Sequence, residues 1–238
     1  MKEKRLLYEV ISAKILQGIR AGQFQEILPT EHELALLYDV SRATIRSALQ
    51  KLNNDNIIKT LHGKGSYITN QMHDIPLRID KLKGFYQLLE ETGQEVNLRE
   101  MGISKTDSFR CEFQLPAAFY TSPVLTISRL LSSNNQPRIY IQEHLSCNDV
   151  RKESFDELPY SVYDLVHHLT GQRIKYTVSR LHPVLPNAEV AEIFGISRKN
   201  PILLATEQHY NMLNSYMLFS KIFINNSPDM QIGLIRTQ

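Results

Sequence analysis

Arg42 and Arg46 stand four residues apart in VSRATIRSALQKL, the stretch from Val40 to Leu52. Ser41, just before them, is a good helix N-cap. Ile45, Ala48, Leu49 and Leu52 recur at i, i+3, i+4 and i+7, the spacing of one buried helix face. That periodicity sends Arg42, Ala43, Arg46 and Gln50 to the opposite side. Like charges one turn apart repel mildly and gain nothing from each other. An anionic partner gives the pair a purpose, because arginine bonds bidentately to guanine edges or to phosphate. Ser41 and Thr44 can donate to phosphates near the helix N-terminus, which itself attracts anions. The same two arginines would also suit a merely solvated helix face, so the elements around them decide.

Those elements are legible. LLYEVISAKILQGIRAGQF carries Tyr8, Ile11, Ile15 and Ile19 on one helical face, with Gly22 as its stop. In LPTEHELALLYDV, Thr30 and Glu33 form a capping box, and Leu34, Leu37 and Tyr38 are expected to face inward. NNDN breaks the third helix. IIKTL and GSYIT then read as two short strands around HGKG, whose glycines allow the positive φ of a tight hairpin. Three helices and a hairpin within 70 residues outline a winged helix-turn-helix. Lys64 at the hairpin tip, beside His62, suits a wing that lies on a neighbouring DNA groove.

Composition sets bounds on the rest. The 238 residues are 42% hydrophobic and 22% charged, an ordinary globular balance. No apolar run approaches the roughly 18 residues of a membrane span. The opening MKEKRLLYEV lacks the apolar core of a signal peptide and reads as the start of a cytoplasmic protein. Residues 1–70 hold 10 Lys and Arg against 7 Asp and Glu, a mildly basic excess that permits an anionic partner. Cys111 and Cys147 are far apart, outside any CxxC pattern, and read as reduced thiols.

Beyond a polar linker, NQMHDIPLR, the chain changes character. The expected division is a DNA-binding domain over 1–69, a linker over 70–78 and a second domain over 79–238. KLKGFYQLLEETG reads as a helix stopped by Gly93. PVLTISRLLSSNNQPRIYIQEHLS reads as two strands around a polar turn. SVYDLVHHLTG reads as a helix capped by Ser161 and ended by Gly171, and AEVAEIFGI as another. PILLATEQHYN and YMLFSKIFI read as a final strand pair. Mixed strands and helices with hairpin connections predict an α+β class on an antiparallel sheet.

No catalytic group, metal site or cofactor is assigned. His167 and His168 are adjacent on a helix and point in different directions, with no partner at ligand spacing. His144 and Cys147, three apart on a strand, face opposite sides. No glycine-rich phosphate loop is present.

These stretches resemble the GntR family of bacterial transcription regulators. The resemblance covers residues 5–69 and is carried by the helical segments above and IIKTLHGKGSYIT. It implies DNA contacts by Arg42, Thr44 and Arg46, with Ser41 beside them, and a wing of His62, Gly63 and Lys64. The family commonly has arginine where this chain has His32, so that contact is weaker or pH-sensitive. Ala43 replaces a usual threonine.

GFYQLLEETG, ISRLLSSNNQPRIYIQEHLS, SVYDLV and ILLATEQHY resemble the UTRA ligand-sensing domain of the histidine-utilisation-repressor (HutC) subfamily. This implies a chorismate-lyase-like antiparallel sheet with flanking helices, a homodimer on a pseudo-palindromic double-stranded operator, and a small effector such as a sugar phosphate or other small anion. By the same resemblance, Arg129 matches the first of two anion-binding arginines, and Leu131 stands where the second is usual. Ile141 stands where a glutamate often holds sugar hydroxyls, and Leu218 falls near another acidic position. Ser161 and Tyr163 match one helix start that holds anions, and Phe85 and Tyr86 match another. The expected pocket therefore has one cation and apolar walls. A phosphosugar there would lose a charge-assisted hydrogen bond, about 1.5–3 kcal/mol. Two alternatives stay open: a constitutive DNA-binding dimer with a degenerate pocket, and a chorismate-lyase-like enzyme.

Overall fold

The computed structural model describes residues 6–55, 57–61, 63–69, 77–91, 94–107, 109–151, 155–225, 230 and 232–233. The chain divides into two compact units, 1–76 with 91–93 and 77–90 with 94–238.

In the first unit α1 spans Leu7–Arg20, α2 Glu31–Tyr38 and α3 Arg42–Asn54, followed by β1, Ile58–Leu61, and β2, Gly65–Ile68. Gly22 takes φ 73° just after α1, as its stop role requires. Thr30 accepts from the Glu33 amide, and the Glu33 carboxylate accepts from the Thr30 amide. This capping box fixes where α2 begins. The tight turn into α3 passes through Asp39 at φ 51°. Ile11, Ile15, Ile19, Leu34, Ile45, Ala48, Leu49, Leu52, Ile58 and Ile68 make one core. Leu37 is not part of it. Expected inside, it is 52% exposed, because the eight-residue α2 turns only Leu34 fully inward, with Ala35 and Tyr38 partly so.

β1 and β2 pair antiparallel from Ile58 with Ile68 to Leu61 with Gly65. The hairpin is tied down on two sides. The Thr60 amide donates to Asn53 Oδ1 at the end of α3, 3.0 Å away. The Leu28 and Ile68 amides bond the Ser66 and Glu26 carbonyls across β2. The wing is thus braced against the helices that it flanks.

The second unit holds β3 (Leu77–Arg78), α4 (Phe85–Glu90), β4 (Val96–Thr106), α5 (Ala118–Thr121), β5 (Val124–Ser133), β6 (Gln136–Ser146), α6 (Val162–Thr170), β7 (Tyr176–Val184), α7 (Ala188–Phe194), β8 (Ile202–Tyr210), β9 (Tyr216–Ile224) and β10 (Ile232–Gly233). Leu77 and Arg78, expected at the end of the linker, form β3 and pair parallel with β10. Residues 70–76 of the linker and Gly93 lie outside the described residues.

Six strands make one antiparallel sheet in the order β4-β5-β6-β9-β8-β7. Its four inner strands are covered on both faces. α4 packs on Leu131, Ile139, Ile141 and Ile222, and α6 packs on Ile127, Leu145 and Leu218 of the same face. α7 packs on Leu130 and Tyr140 of the other. Burial on both faces explains the adjacent apolar residues in β5, Leu130 and Leu131, and in β6, Ile139 to Ile141. The two edge strands, β4 and β7, escaped sequence reading. Their side chains are mostly exposed, β4 bulges between Glu100 and Gly102, and β7 carries Pro183, a residue that suits an edge.

Candidate nucleic-acid interface and effector pocket

Ser41 caps α3: its Oγ accepts from the Thr44 amide at 3.1 Å and lies 2.8 Å from Thr44 Oγ1. Arg42, Ala43, Arg46 and Gln50 are exposed, while Ile45, Ala48, Leu49 and Leu52 are buried, as the periodicity requires. The arginines are not left to repel each other. Glu31, at the start of α2, accepts two hydrogen bonds from Arg46, from Nε at 3.1 Å and from an Nη at 2.8 Å. An Arg42 Nη lies 3.9 Å from the same carboxylate. The hydrogen bond from Arg46 holds the Glu31 carboxyl below its ordinary range. Sequence reading missed this acid, because its link to α3 depends on how α2 is aimed. His32 is exposed beside it.

At the hairpin, the Lys64 amide donates to the Leu61 carbonyl at 3.0 Å, and Gly63 and Gly65 take φ 73° and 110°. Gly63 and Lys64 are exposed. His62 lies outside the described residues.

In the second unit, strand register builds the floor of a pocket. Arg129 pairs with Ile141, and Ile141 with Ile222. One row along, Ile127, Glu143, Ser220, Glu207 and Ser179 line up across β5, β6, β9, β8 and β7. Opposite partners share a face, so Arg129, Glu143 and Glu207 point to the side that carries α4 and α6. Gly84, just before α4, comes close to Ser161 and Val162 at the start of α6. A Cβ built on it would lie 3.5 Å from Ser161 Cα. Two helix starts thereby roof the row.

Arg129 is 1% exposed. One terminal nitrogen donates to both oxygens of Glu143, itself 1% exposed. The other donates to the carbonyls of Pro159 at 2.7 Å and Tyr160 at 3.2 Å. Arg129 Nε is buried with no partner. Burial raises the Glu143 carboxyl above its ordinary range, and the Arg129 guanidinium offsets only part of that rise. The expectation of one cation among apolar walls is therefore corrected: an inward-facing glutamate already neutralises that cation. Glu143 was legible in principle, since it continues the alternation of Ile139 and Ile141.

Phe85, Tyr86, Leu98, Arg129, Leu131, Ile141, Glu143, Tyr160, Val162 and Glu207 help to line an inner cavity. Its volume is about 20 Å³, room for a water and not for a sugar phosphate. Tyr86 and Tyr160 meet there, their ring centres 4.8 Å apart. Phe85 and Glu207 also line an outer cleft of about 310 Å³, with Tyr163, Lys81, Lys83, Lys175, Tyr176 and Ser179.

Glu207 accepts from Ser179 Oγ at 2.8 Å. Burial raises its carboxyl to about 7, and the Glu143 charge adds to the rise, against the Ser179 hydrogen bond. His209 Nε2 lies 3.6 Å from it, but burial lowers that imidazole to about 3, so the ring is neutral and the contact is no ion pair. Tyr163 sits edge-on to His209, and burial raises its phenol to about 12.

Of the expected effector residues, Phe85, Tyr86 and Arg129 meet in the inner cavity, and Tyr163 lies in the outer cleft. Ser161 sits at the N-cap position of α6, but its side chain makes no capping bond; it is 5% exposed and packs beside Gly84. Leu131 and Ile141 face the cavity, and Leu218 is buried under α6. Among the described residues, no group of three or more His, Cys, Asp or Glu could hold a metal ion, and no helix is long and apolar enough to cross a membrane.

Comparison with known proteins agrees with this arrangement. Residues 7–68 match the model of the bacterial regulatory proteins of the gntR family, and residues 116–227 match the UTRA domain. The HTH-type transcriptional repressor NagR of Bacillus subtilis is 24% identical over 206 residues, covering 86% of this chain and 84% of NagR. The mannosyl-D-glycerate transport/metabolism system repressor MngR of Escherichia coli is 23% identical over 235 residues, covering 96% of this chain and 95% of MngR. PhnF from Mycobacterium smegmatis shares the fold at TM-score 0.58 and 17% identity, over 98% of this chain and 99% of that one. With an exposed arginine helix and wing in one unit and a roofed antiparallel sheet in the other, the chain belongs to the GntR family of bacterial regulators and carries a UTRA domain.

Proposed function

We propose that this protein is a cytoplasmic repressor that binds a pseudo-palindromic duplex operator as a homodimer and leaves it when a small effector fills the second domain. Arg42, Thr44 and Arg46 are the residues for base edges and phosphates, Ser41 sets the helix start, and His32, His62, Gly63 and Lys64 add contacts beside them. Phe85, Tyr86, Arg129, Ser161 and Tyr163 surround or support the effector pocket. The observation that carries the reading is the exposed, arginine-bearing outer face of α3 beside a braced wing, within a chain of this family. Two-fold symmetry makes the operator a near palindrome with half-sites set one helical turn or a multiple apart. Effector binding then shifts the population towards dimers whose recognition helices no longer match that spacing.

A gel-shift titration tests this. Replacing Arg46 and Lys64 together abolishes the operator shift in this reading, and an unchanged shift refutes it. The constitutive dimer is disfavoured by the outer cleft, which has the volume of a ligand site. Among the pocket acids Glu143 and Asp80 are held by Arg129 and Arg78, which leaves Glu207, raised to about 7 by burial, as the candidate acid for an enzyme. Family membership favours a sensing role for it, and the absence of turnover of a bound ligand is the expected result.

A further inference from the structure

Glu207 is placed where the inner cavity meets the outer cleft, since it lines both. Its side chain is 12% exposed. It receives one hydrogen bond, from Ser179, and its closest basic neighbour is the neutral ring of His209. Among the described residues no cationic side chain pairs with it. Arg129, the cation of the inner cavity, is engaged by Glu143. A buried carboxylate without a cation is costly, and a ligand that supplies the cation recovers that cost. Tyr86 and Tyr160 line the same inner cavity, and aromatic rings attract cations. Independently, Arg129 Nε–H is buried in the same place with no acceptor, a donor that a ligand oxygen would satisfy.

We propose that the pocket recognises a small molecule bearing an ammonium group with an oxygen acceptor close to it, the nitrogen at Glu207 and the oxygen at Arg129 Nε. The assignment deepens the effector-sensing reading and rests on it. A phosphate driven into the inner cavity would meet two carboxyl groups and a guanidinium that is already neutralised. An anionic part of the ligand would lie outward instead, where Lys175 lines the outer cleft; Lys81, Lys83 and the acid Asp80 share that lining.

Isothermal titration of the full chain against matched pairs tests the class: glucosamine and glucose, serine and glycerate, ethanolamine and ethylene glycol, with glucose 6-phosphate alongside. At least one ammonium compound binds and its oxygen twin does not, and Glu207→Gln weakens that binding at least tenfold while still melting cooperatively and binding DNA. Binding of a neutral or phosphorylated compound that survives Glu207→Gln overturns the ammonium assignment and leaves effector sensing intact. No binding by any compound, from protein that melts cooperatively and binds DNA, counts against both.

Discussion

Glu31 at the start of α2 holds Arg46 of α3 through two hydrogen bonds, at 3.1 and 2.8 Å, and draws Arg42 to 3.9 Å of the same carboxylate. The two guanidiniums proposed to face an anionic duplex are thus arranged before it arrives. Both arginines are about two-thirds exposed, so the pairing is screened and contributes little to stability. Its proposed consequence lies in binding: Glu31 restrains the arginines and competes with phosphate for them.

Glu31→Gln removes that competitor. Affinity for random duplex should rise several-fold, and the ratio of operator to random binding should fall. Fluorescence anisotropy with both duplexes reads the two numbers. A variant that loses both affinities equally would show that Glu31 acts only in folding.

Arg46→Ala removes a bidentate donor from the exposed face of α3. Operator binding should weaken roughly ten- to a hundred-fold and preference at one base position should relax. Lys64→Ala acts differently, because a hairpin-tip ammonium reads the backbone. All sequences should weaken together, and the slope of log K against log salt should become shallower by about 1. Anisotropy over a salt series separates these two behaviours.

Glu207 makes stability depend on pH. Its folded carboxyl titrates near 7, above the 4.5 of a free glutamate, because it is buried. The folded state holds this proton more tightly, so the contribution is full below about pH 4.5 and is lost as pH rises through 7. Glu207→Gln mimics the protonated form. The variant and the parent should melt alike near pH 4, and the variant should gain on the order of 1–3 kcal/mol by pH 8. Thermal melts at both pH values check it, and a difference that does not change with pH would contradict it.

Much of the DNA-binding unit was written in local patterns. The i, i+3, i+4, i+7 stripe of α3, the Thr30–Glu33 capping box and the glycine hairpin each depend on a few neighbouring residues. Leu37 misled because a short helix buries less of its apolar side than its spacing suggests. The effector pocket was less legible. Glu143 and Glu207 lie far apart in sequence, and only the register through Ser220 brings them into one row. Arg129 was recognised, but its neutralisation by Glu143 needed the pairing of β5 with β6. The edge strands β4 and β7 lack the buried alternation that marks a strand, so sequence periodicity passes over them.

The central claim is that the exposed arginine face of α3 reads a two-fold duplex site. Selection of bound sequences from a random duplex library, run with the parent protein and with an Arg42→Ala, Arg46→Ala double variant, tests it most directly. The account predicts that the parent enriches one near-palindromic sequence and that the folded double variant enriches none. Enrichment of the same sequence by both proteins would contradict it.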